Sequence, residues 1–319
     1  MARRRLRSLT ASNTGDLVFK LVAVGLTLSV LVLAVLMVGV MFQNSRESIA
    51  EYGIWDFVTA KQWDPVFRNF GALAVIVGTL VSALIAVVLA VPVAIGIAIY
   101  IVEIAPPRFQ GPIAFLVDTL AAVPSIVFGL WAAFVMVPWL RQTPGKFLVN
   151  TFGDWIPLFK GPHFGFSMLA AGVILAVMIV PIISAVAREV IASVPMAQKE
   201  GLLALGATRW EVVRKVILPT ARAGIVGAVI LGLGRAIGET MAVTMVIGNR
   251  HELTWSLMAP NSTIPSIIAN EFREATYDLY LSALIHLALV LMVISLGINV
   301  MARSLVWSAT RGQTSADAR

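Results

Sequence analysis

Long runs of hydrophobic residues, separated by short polar segments, dominate the pattern of this chain. A helix that crosses a bilayer needs about 20 consecutive, mainly apolar residues. Runs of that length lie at residues 21–42, 73–101, 113–140, 166–192, 223–247 and 281–307. The pattern therefore predicts an all-α polytopic membrane protein with six transmembrane helices.

Prolines interrupt several runs, and the third run is the most affected. Pro124 and Ser125 lie near its middle, and proline removes a helical hydrogen bond that neighbouring groups in a membrane must replace. We expect this span to be bent or broken near Ser125. Outside the spans, residues 43–70 mix charged and aromatic residues in a way typical of a membrane interface, and residues 264–272 predict a short surface helix.

Composition supports a membrane location. The chain is 59% hydrophobic and 13% charged, with a mean hydropathy of +0.89, whereas soluble domains carry about 25% charged residues. Basic residues beside the apolar runs produce the net charge of +7. There they meet lipid headgroups, which disfavours nucleic acid as a partner. The absence of cysteine excludes disulfides and Cys-ligated metals, and with only 3 histidines no metal cluster is visible.

Basic residues also predict the orientation. They recur at the N-terminus, at Arg108, in the loop at 193–222 and in the tail at Arg303 and Arg311. The first apolar run exceeds the roughly 7–15 residues of a signal-peptide core, so we expect it to remain as a span. With six spans, the positive-inside rule places both termini in the cytoplasm.

The polar stretch that begins at Lys199 predicts two short helices and the start of a long one. Ser193 is expected to cap the first helix, and Gly206 stands where a left-handed terminal residue is favoured. Thr208 and Glu211 have the spacing of a capping box, which predicts a second helix from Arg209. Pro219 is expected to interrupt that helix.

Two charged residues, Arg235 and Glu239, lie four apart inside the fifth apolar run. Each ionised group costs about 2.5–3.5 kcal/mol at mid-membrane, so both should face protein or a wet cavity. One interpretation is an ion pair that fixes helix packing. The other is an anion site, because arginine offers a planar fork of donors that matches tetrahedral oxyanions. Glu239 could then accept a hydrogen bond from a protonated phosphate oxygen, which fully ionised sulfate cannot donate.

Two hydroxyl residues, Thr240 and Ser125, are weaker candidates for the same path. Each could donate to an anion. Hydroxyls in membrane spans more often bond a carbonyl one turn back, however, and that alternative stays open.

Glu200, Gly206 and the pair Leu218-Pro219 resemble the cytoplasmic "EAA" loop of inner-membrane permeases of bacterial ABC importers, although Gly201 and Leu202 stand where that loop has alanines. The string Arg235-Ala236-Ile237-Gly238-Glu239-Thr240 is similar to the phosphate permeases of the PstC type. The resemblance implies a type I ABC importer permease fold. It places Arg235, Glu239, Thr240 and Ser125 on the substrate pathway. In the loop, the residues implied to couple to an ATPase are Glu200, Gly201, Leu202, Leu205, Gly206, Arg209 and Pro219.

The same resemblance implies the assembly. We expect a second homologous permease, two ATP-binding subunits, an extracytoplasmic phosphate-binding protein and a location in the bacterial inner membrane. No Walker A string occurs in the sequence, so this chain is not expected to be an enzyme or to carry a cofactor. The expected parts are 1–70 (N-terminus, first helix and outer segment), 71–308 (a five-helix ABC transmembrane type-1 domain with the coupling loop at 193–222) and 309–319 (a cytoplasmic tail).

Other functions are open at this point. A permease for sulfate or molybdate would share the loop but differ in substrate. A membrane scaffold or receptor subunit without a pathway is a different class. A secondary transporter is disfavoured, because no inverted repeat is evident in the sequence.

Overall fold

The described part of this computed structural model comprises residues 14–161 and 164–314. The basic N-terminal residues that contribute to the predicted orientation, Arg3, Arg4, Arg5 and Arg7, lie outside the described residues. Within them, six helical stretches are long and apolar enough to cross a bilayer, which confirms the predicted number. These stretches are Gly15–Asn44, Leu73–Ile104, Ser125–Phe152, Met168–Ala192, Arg209–Gly238 and Asp278–Ser304.

The elements follow one another with few long loops. The helices before the loop region are α1 (Thr14–Asn44), α2 (Arg46–Tyr52), α3 (Ile54–Thr59), α4 (Leu73–Ile99), α5 (Pro107–Ala122), α6 (Ser125–Trp131), α7 (Val137–Gln142), α8 (Pro144–Phe152) and α9 (Met168–Ala192). The later helices are α10 (Met196–Ala204), α11 (Arg209–Val212), α12 (Leu218–Gly238), α13 (Met241–Thr244), α14 (Ile264–Glu271) and α15 (Asp278–Thr314). Strands β1 (Trp63–Asp64) and β2 (Asn69–Phe70) form an antiparallel hairpin. Wider π turns follow α4 (Tyr100–Ile104), α6 (Ala132–Met136) and α11 (Val213–Ile217).

Helix α9 forms the centre of the bundle and packs along α4 and α12. Small residues allow these helices to approach closely. Gly172 of α9 faces the side chain of Ile85, and Gly232 of α12 faces Ile183, so a methyl group at either glycine would collide. In contrast, α1 packs mainly on α15 and α2 and lies at the edge of the bundle.

The third predicted span is broken, as expected from Pro124. Helix α5 ends at Ala122, and α6 begins at Ser125 directly after the proline. The predicted limits of 113–140 are wrong, because α5 is a separate helix and the membrane-length stretch runs from Ser125 to Phe152. The extended backbone of Val123 and Pro124 separates the two helices, and the proline cannot supply a helical N–H.

The fifth predicted span, 223–247, is also corrected. Its helix starts earlier, at Arg209, and ends at Gly238. The predicted interruption at Pro219 does not occur. A π turn precedes this proline, with the Leu218 N–H donating to the Val213 carbonyl five residues back. Such a widened turn accommodates the missing N–H and the ring while the helix continues.

Two segments expected at a surface are packed into the protein. Phe57, Trp63 and Phe70 of the 43–70 segment are buried in one apolar cluster with residues of α14 and α15. Helix α14 has Ile264 and Ile267 at 0% and 1% exposure, so it is not a surface helix. Trp63 makes edge-to-face contacts with Phe57 and Phe70, whereas Trp55 of the same segment stays 79% exposed.

Candidate functional site

The charged pair of the fifth span lies where its helix stops. Arg235 occupies the last turn of α12, and Glu239 follows the helix in an extended conformation. They therefore do not share a continuous helical face, which corrects the prediction, because the helix breaks after Gly238 and glycine favours helix poorly. Arg235 Nη2 still lies 3.9 Å from Glu239 Oε2. This separation exceeds hydrogen-bonding distance, so charge attraction alone holds the pair.

Burial differs strongly between the two side chains. That of Arg235 is 43% exposed and that of Glu239 only 8%. The Glu239 carboxylate accepts a long hydrogen bond, 3.5 Å, from the Ala242 N–H of α13. The Glu239 carboxylate is thus buried, whereas the neighbouring Arg235 guanidinium is exposed.

The break lies inside the apolar core. Ala236 and Ile237 before it, and Ala242 and Val243 after it, belong to the same buried cluster. Helix α13 packs on α6, the helix that begins at the other break. Gly129 of α6 makes this contact possible, since a Cβ there would come within 3.0 Å of the Ala242 Cα.

The two hydroxyl residues of the predicted path occupy these same breaks. Thr240 is half-buried, and its Oγ1 donates to the Gly238 carbonyl oxygen at 3.3 Å, two residues back rather than one turn back. Ser125 is also half-buried and opens α6. Because α6 and α13 pack together, Ser125 and Thr240 lie at neighbouring helix breaks, although no hydrogen bond is found between Ser125 and Arg235 in the described residues.

The loop residues form the predicted pair of short helices with local differences. Gly206 has a φ of +84°, which confirms a left-handed residue after α10. The Thr208 side chain accepts from the Glu211 N–H and the Glu211 side chain accepts from the Thr208 N–H, which confirms the capping box. Ser193 does not cap α10. Its hydroxyl donates to the Val190 carbonyl at the end of α9, and Pro195 precedes α10 instead.

Helix α10 exposes most of its surface. Glu200, Gly201 and Arg209 are exposed, and Leu205 reaches 84% exposure. Leu202 packs toward an apolar cluster that also contains Ala98 of α4. The loop thus exposes apolar residues beside charged ones, including Trp210 at 64% exposure.

Two ion pairs join charged side chains that are far apart in the sequence. Lys199 of α10 donates from Nζ to Glu103 Oε1 at 2.6 Å. Arg188 of α9 donates from Nη2 to Asp118 Oδ2 of α5 at 2.9 Å. The partners are 96 and 70 residues apart, so no local pattern could have paired them. Their position near the ends of apolar runs is the only signal that the sequence offers.

A buried carboxylate, Glu271, joins several elements at the opposite end of α4 from α10. Its Oε2 accepts hydrogen bonds of 2.7 Å from Trp63 Nε1 and from the Tyr280 hydroxyl, and His251 Nε2 lies 3.2 Å from Oε1. Burial raises the pKa of this carboxyl, but the hydrogen bonds from His251, Tyr280 and Trp63 outweigh burial and hold the pKa below its ordinary value of 4.5.

At the break after α12, the side chains of Arg235 and Glu239 together offer an anionic ligand hydrogen-bond donors and an acceptor. Arginine stays charged and presents several donors, and the adjacent carboxylate can accept a proton-bearing ligand oxygen. Among the described residues, no group of three or more His, Cys, Asp or Glu side chains could hold a metal ion.

Solved structures share this architecture. The inward-facing MetNI methionine ABC transporter has a chain with a TM-score of 0.56 at 18% identity, covering 78% of this chain and 99% of that chain. A bacterial alginate ABC transporter, in complex with an alginate pentasaccharide-bound periplasmic protein, gives 0.59 at 19% identity, with coverage of 92% and 97%. These likenesses show the type I fold of ABC importer permeases.

Sequence comparison identifies the relatives. The model of the binding-protein-dependent transport system inner membrane component matches residues 90–307. The phosphate transport system permease protein PstC of Mesorhizobium japonicum is 43% identical over 267 residues, which cover 82% of this chain and 81% of that protein. The probable PstC protein of Methanocaldococcus jannaschii is 41% identical over 288 residues, covering 88% and 90%. The chain therefore belongs to the PstC family of phosphate transport system permeases, within the inner membrane components of binding-protein-dependent transport systems.

Proposed function

We propose that this chain is the membrane permease subunit of an ATP-driven importer of inorganic phosphate and forms half of its translocation pathway. Its membership of the PstC family supports this function. The observation that carries the proposal is the position of Arg235, a permanently charged and 43% exposed guanidinium at the break of an apolar span. Lipid solvates such a charge poorly, so the exposed side should face a second permease or a wet pathway.

Arg235 and Glu239 would have different roles at this point of the pathway. The guanidinium attracts the anion and offers paired donors. The Glu239 carboxylate neutralises Arg235 when the path is empty, and accepts a hydrogen bond from a protonated phosphate oxygen when it is occupied. Sulfate lacks that proton and would leave a buried acceptor unpaired, which favours phosphate. Thr240 and Ser125, at the two adjacent breaks, would add hydroxyl donors.

The energy would come from other subunits. This sequence has no Walker A string, and the loop around α10 presents Glu200, Leu205 and Arg209 on its surface. We propose that Glu200, Gly201, Leu202, Leu205, Gly206, Arg209 and Pro219 form the surface that docks in one of two ATP-binding subunits. Closure of those subunits would move α10, and the spans would then expose the Arg235 region first to one side and then to the other.

The remaining partners follow from this function. A second, homologous permease would supply the other half of the pathway, and an extracytoplasmic phosphate-binding protein would deliver phosphate. The chain would lie in the bacterial cytoplasmic membrane with α10 and both termini on the cytoplasmic side. The family part would span residues 71–308, preceded by the additional helix α1.

Transport by the assembled complex tests this function. The complex is purified with its partner subunits, reconstituted in vesicles with ATP at the α10 side, and supplied with loaded binding protein and radioactive phosphate. We expect ATP-dependent phosphate uptake that excess sulfate or molybdate does not reduce. Preferential uptake of either competitor would favour the rival permease, and an assembled complex that moves none of the three anions would favour a scaffold.

The Arg235 assignment needs a matched control. Arg235→Gln should abolish uptake while the complex still assembles. Arg303→Gln removes an exposed arginine at the end of the last span and should leave uptake unchanged. Equal uptake by the Arg235→Gln and wild-type complexes would contradict the assigned pathway.

A further inference from the structure

Lys199 differs from the rest of α10 in its burial. Its neighbour Glu200 is exposed, whereas Lys199 is only 7% exposed. Its Nζ reaches Glu103 Oε1 at 2.6 Å, and the two side chains are 9% and 19% exposed. A lysine in a short surface helix is ordinarily exposed to solvent, so a lysine that points inward to a carboxylate is unusual.

The partner residue belongs to a span that is distant in sequence. Glu103 lies in the π turn that ends the α4 span, 96 residues before Lys199. The other main neighbours of α10 are α11 and the turn after it, which follow directly along the chain. Lys199 therefore provides an ion pair from α10 to the α4 end. Leu202 packs against an apolar cluster that includes Ala98 of α4 together with residues of α11 and the turn after it.

A partly buried ion pair of this kind contributes mainly to orientation. Removing two charges from water costs about as much as their attraction returns, so the pair adds little net stability, whereas one partner alone is costly. The pair also borders a groove of about 540 Å³ between the α4 end, α10 and α11. Lys199 and Glu103 both line this groove, so their ion pair is a direct polar link across it between α10 and the α4 end.

We infer that Lys199 is a positioning residue whose ion pair with Glu103 transmits the movement of α10 to the α4 span. Helix α4 packs along α9 and α12, so a displacement at Glu103 reaches the core that surrounds the break at Glu239. This route complements the covalent one from α10 through α11 into α12. The inference rests on the proposed function, since it assumes that another subunit moves α10.

The test measures coupling in the reconstituted complete complex. Lys199→Met should retain assembly with the ATP-binding subunits and retain ATP hydrolysis. The ATP hydrolysed per phosphate imported should rise about 5-fold or more, the lower range of typical coupling between sites. The charge-swapped chain with Lys199→Glu and Glu103→Lys restores an ion pair and should return this ratio toward the wild-type value.

Lys215→Met is the matched control. Lys215 pairs with Glu211 at 3.0 Å in the same loop, but the two side chains are 61% and 40% exposed and lie one helical turn apart. This variant should keep the wild-type ratio. A rise as large as that of Lys199→Met would show a general effect of charge and overturn the inference.

Other outcomes are equally decisive. An assembled Lys199→Met complex with wild-type coupling overturns the inference. If the Lys199→Met complex does not assemble, the charge-swapped chain provides the test. It must restore both assembly and coupling, and failure to restore either overturns the inference. A wild-type complex that imports no phosphate contradicts the proposed function and with it this inference, whereas a wild-type complex that imports phosphate with the same ATP cost as Lys199→Met overturns the inference alone.

Discussion

Gly78 of α4 lies directly against the carbonyl oxygen of Ser262, so the place of a side-chain Cβ at Gly78 is already occupied by backbone. Nearby, the Thr79 hydroxyl accepts a hydrogen bond from the Ile264 N–H at 2.9 Å. These contacts attach the loop before α14 to the start of α4. They hold the end of the bundle that is opposite to α10.

Gly78→Ala should therefore destabilise the protein, because neither backbone can move without breaking these contacts. Overpacking of this kind costs about 1–3 kcal/mol. Gly96 of the same helix has nothing within 4 Å of a built Cβ, so Gly96→Ala should be neutral or stabilising. Thermal unfolding of the detergent-purified complex measures both variants, and equal melting temperatures would contradict the close contact.

Glu239→Gln tests selectivity in the pathway. Loss of the charge removes a strong acceptor for the protonated phosphate oxygen, and hydrogen bonds to charged groups contribute about 1.5–3 kcal/mol. Phosphate uptake should fall about 10- to 100-fold, and the preference for phosphate over sulfate should shrink. Uptake of both anions at several concentrations measures this change.

The control for this variant is Glu51→Gln, which removes an exposed carboxylate in α2. It should change neither rate nor selectivity. Unaltered uptake and selectivity in Glu239→Gln would exclude the acceptor role and leave Glu239 as a packing residue.

Local sequence signals predicted the local features of this fold. The Thr208 capping box, the left-handed Gly206 and the break before Ser125 each depend on a few adjacent residues, and each occurs. The apolar runs predicted the six spans for the same reason, since length and composition alone define them.

Features that depend on distant contacts could not be predicted. The run around Gly238 is apolar except for Arg235 and Glu239, and Gly232 and Gly234 of the same run do not end the helix, so Gly238 alone does not indicate where the helix stops. Pro219 indicates an interruption, but a π turn just before it lets the helix continue. The Lys199–Glu103 pair and the burial of Phe57 require the assembled bundle.

The Glu271 cluster predicts a dependence of stability on pH. The pKa of Glu271 is lower in the folded protein than its ordinary value of 4.5. As the pH falls, the Glu271 carboxylate therefore takes up its proton at a higher pH in the unfolded chain than in the folded protein. The stabilisation is fully present above pH 4.5 and is lost as the pH falls through the lower folded pKa.

Glu271→Gln should remove this contribution. An amide cannot accept from Trp63, Tyr280 and His251 together without directing its own N–H toward one of them, so a loss of about 1.5–3 kcal/mol is expected at neutral pH. The difference in free energy of unfolding between Glu271→Gln and wild type should become smaller below pH 4.5. Chemical unfolding across this range measures it, with Glu274→Gln, an exposed carboxylate of the same segment, as the control. A difference that stays constant with pH would contradict the role of the charge.

Two glycines of the coupling loop should respond in opposite ways to alanine. Gly201 lies within α10 with nothing within 4 Å of a built Cβ, and its backbone is helical. Gly201→Ala should stabilise the helix by about 1 kcal/mol. Gly206 has equal space but a φ of +84°, where an L side chain costs about 1–2 kcal/mol. Gly206→Ala should therefore loosen the turn between α10 and α11 and reduce uptake. Proteolysis of the loop together with transport measures both effects, and a Gly206→Ala chain that matches Gly201→Ala in both would show that the left-handed turn is dispensable for coupling.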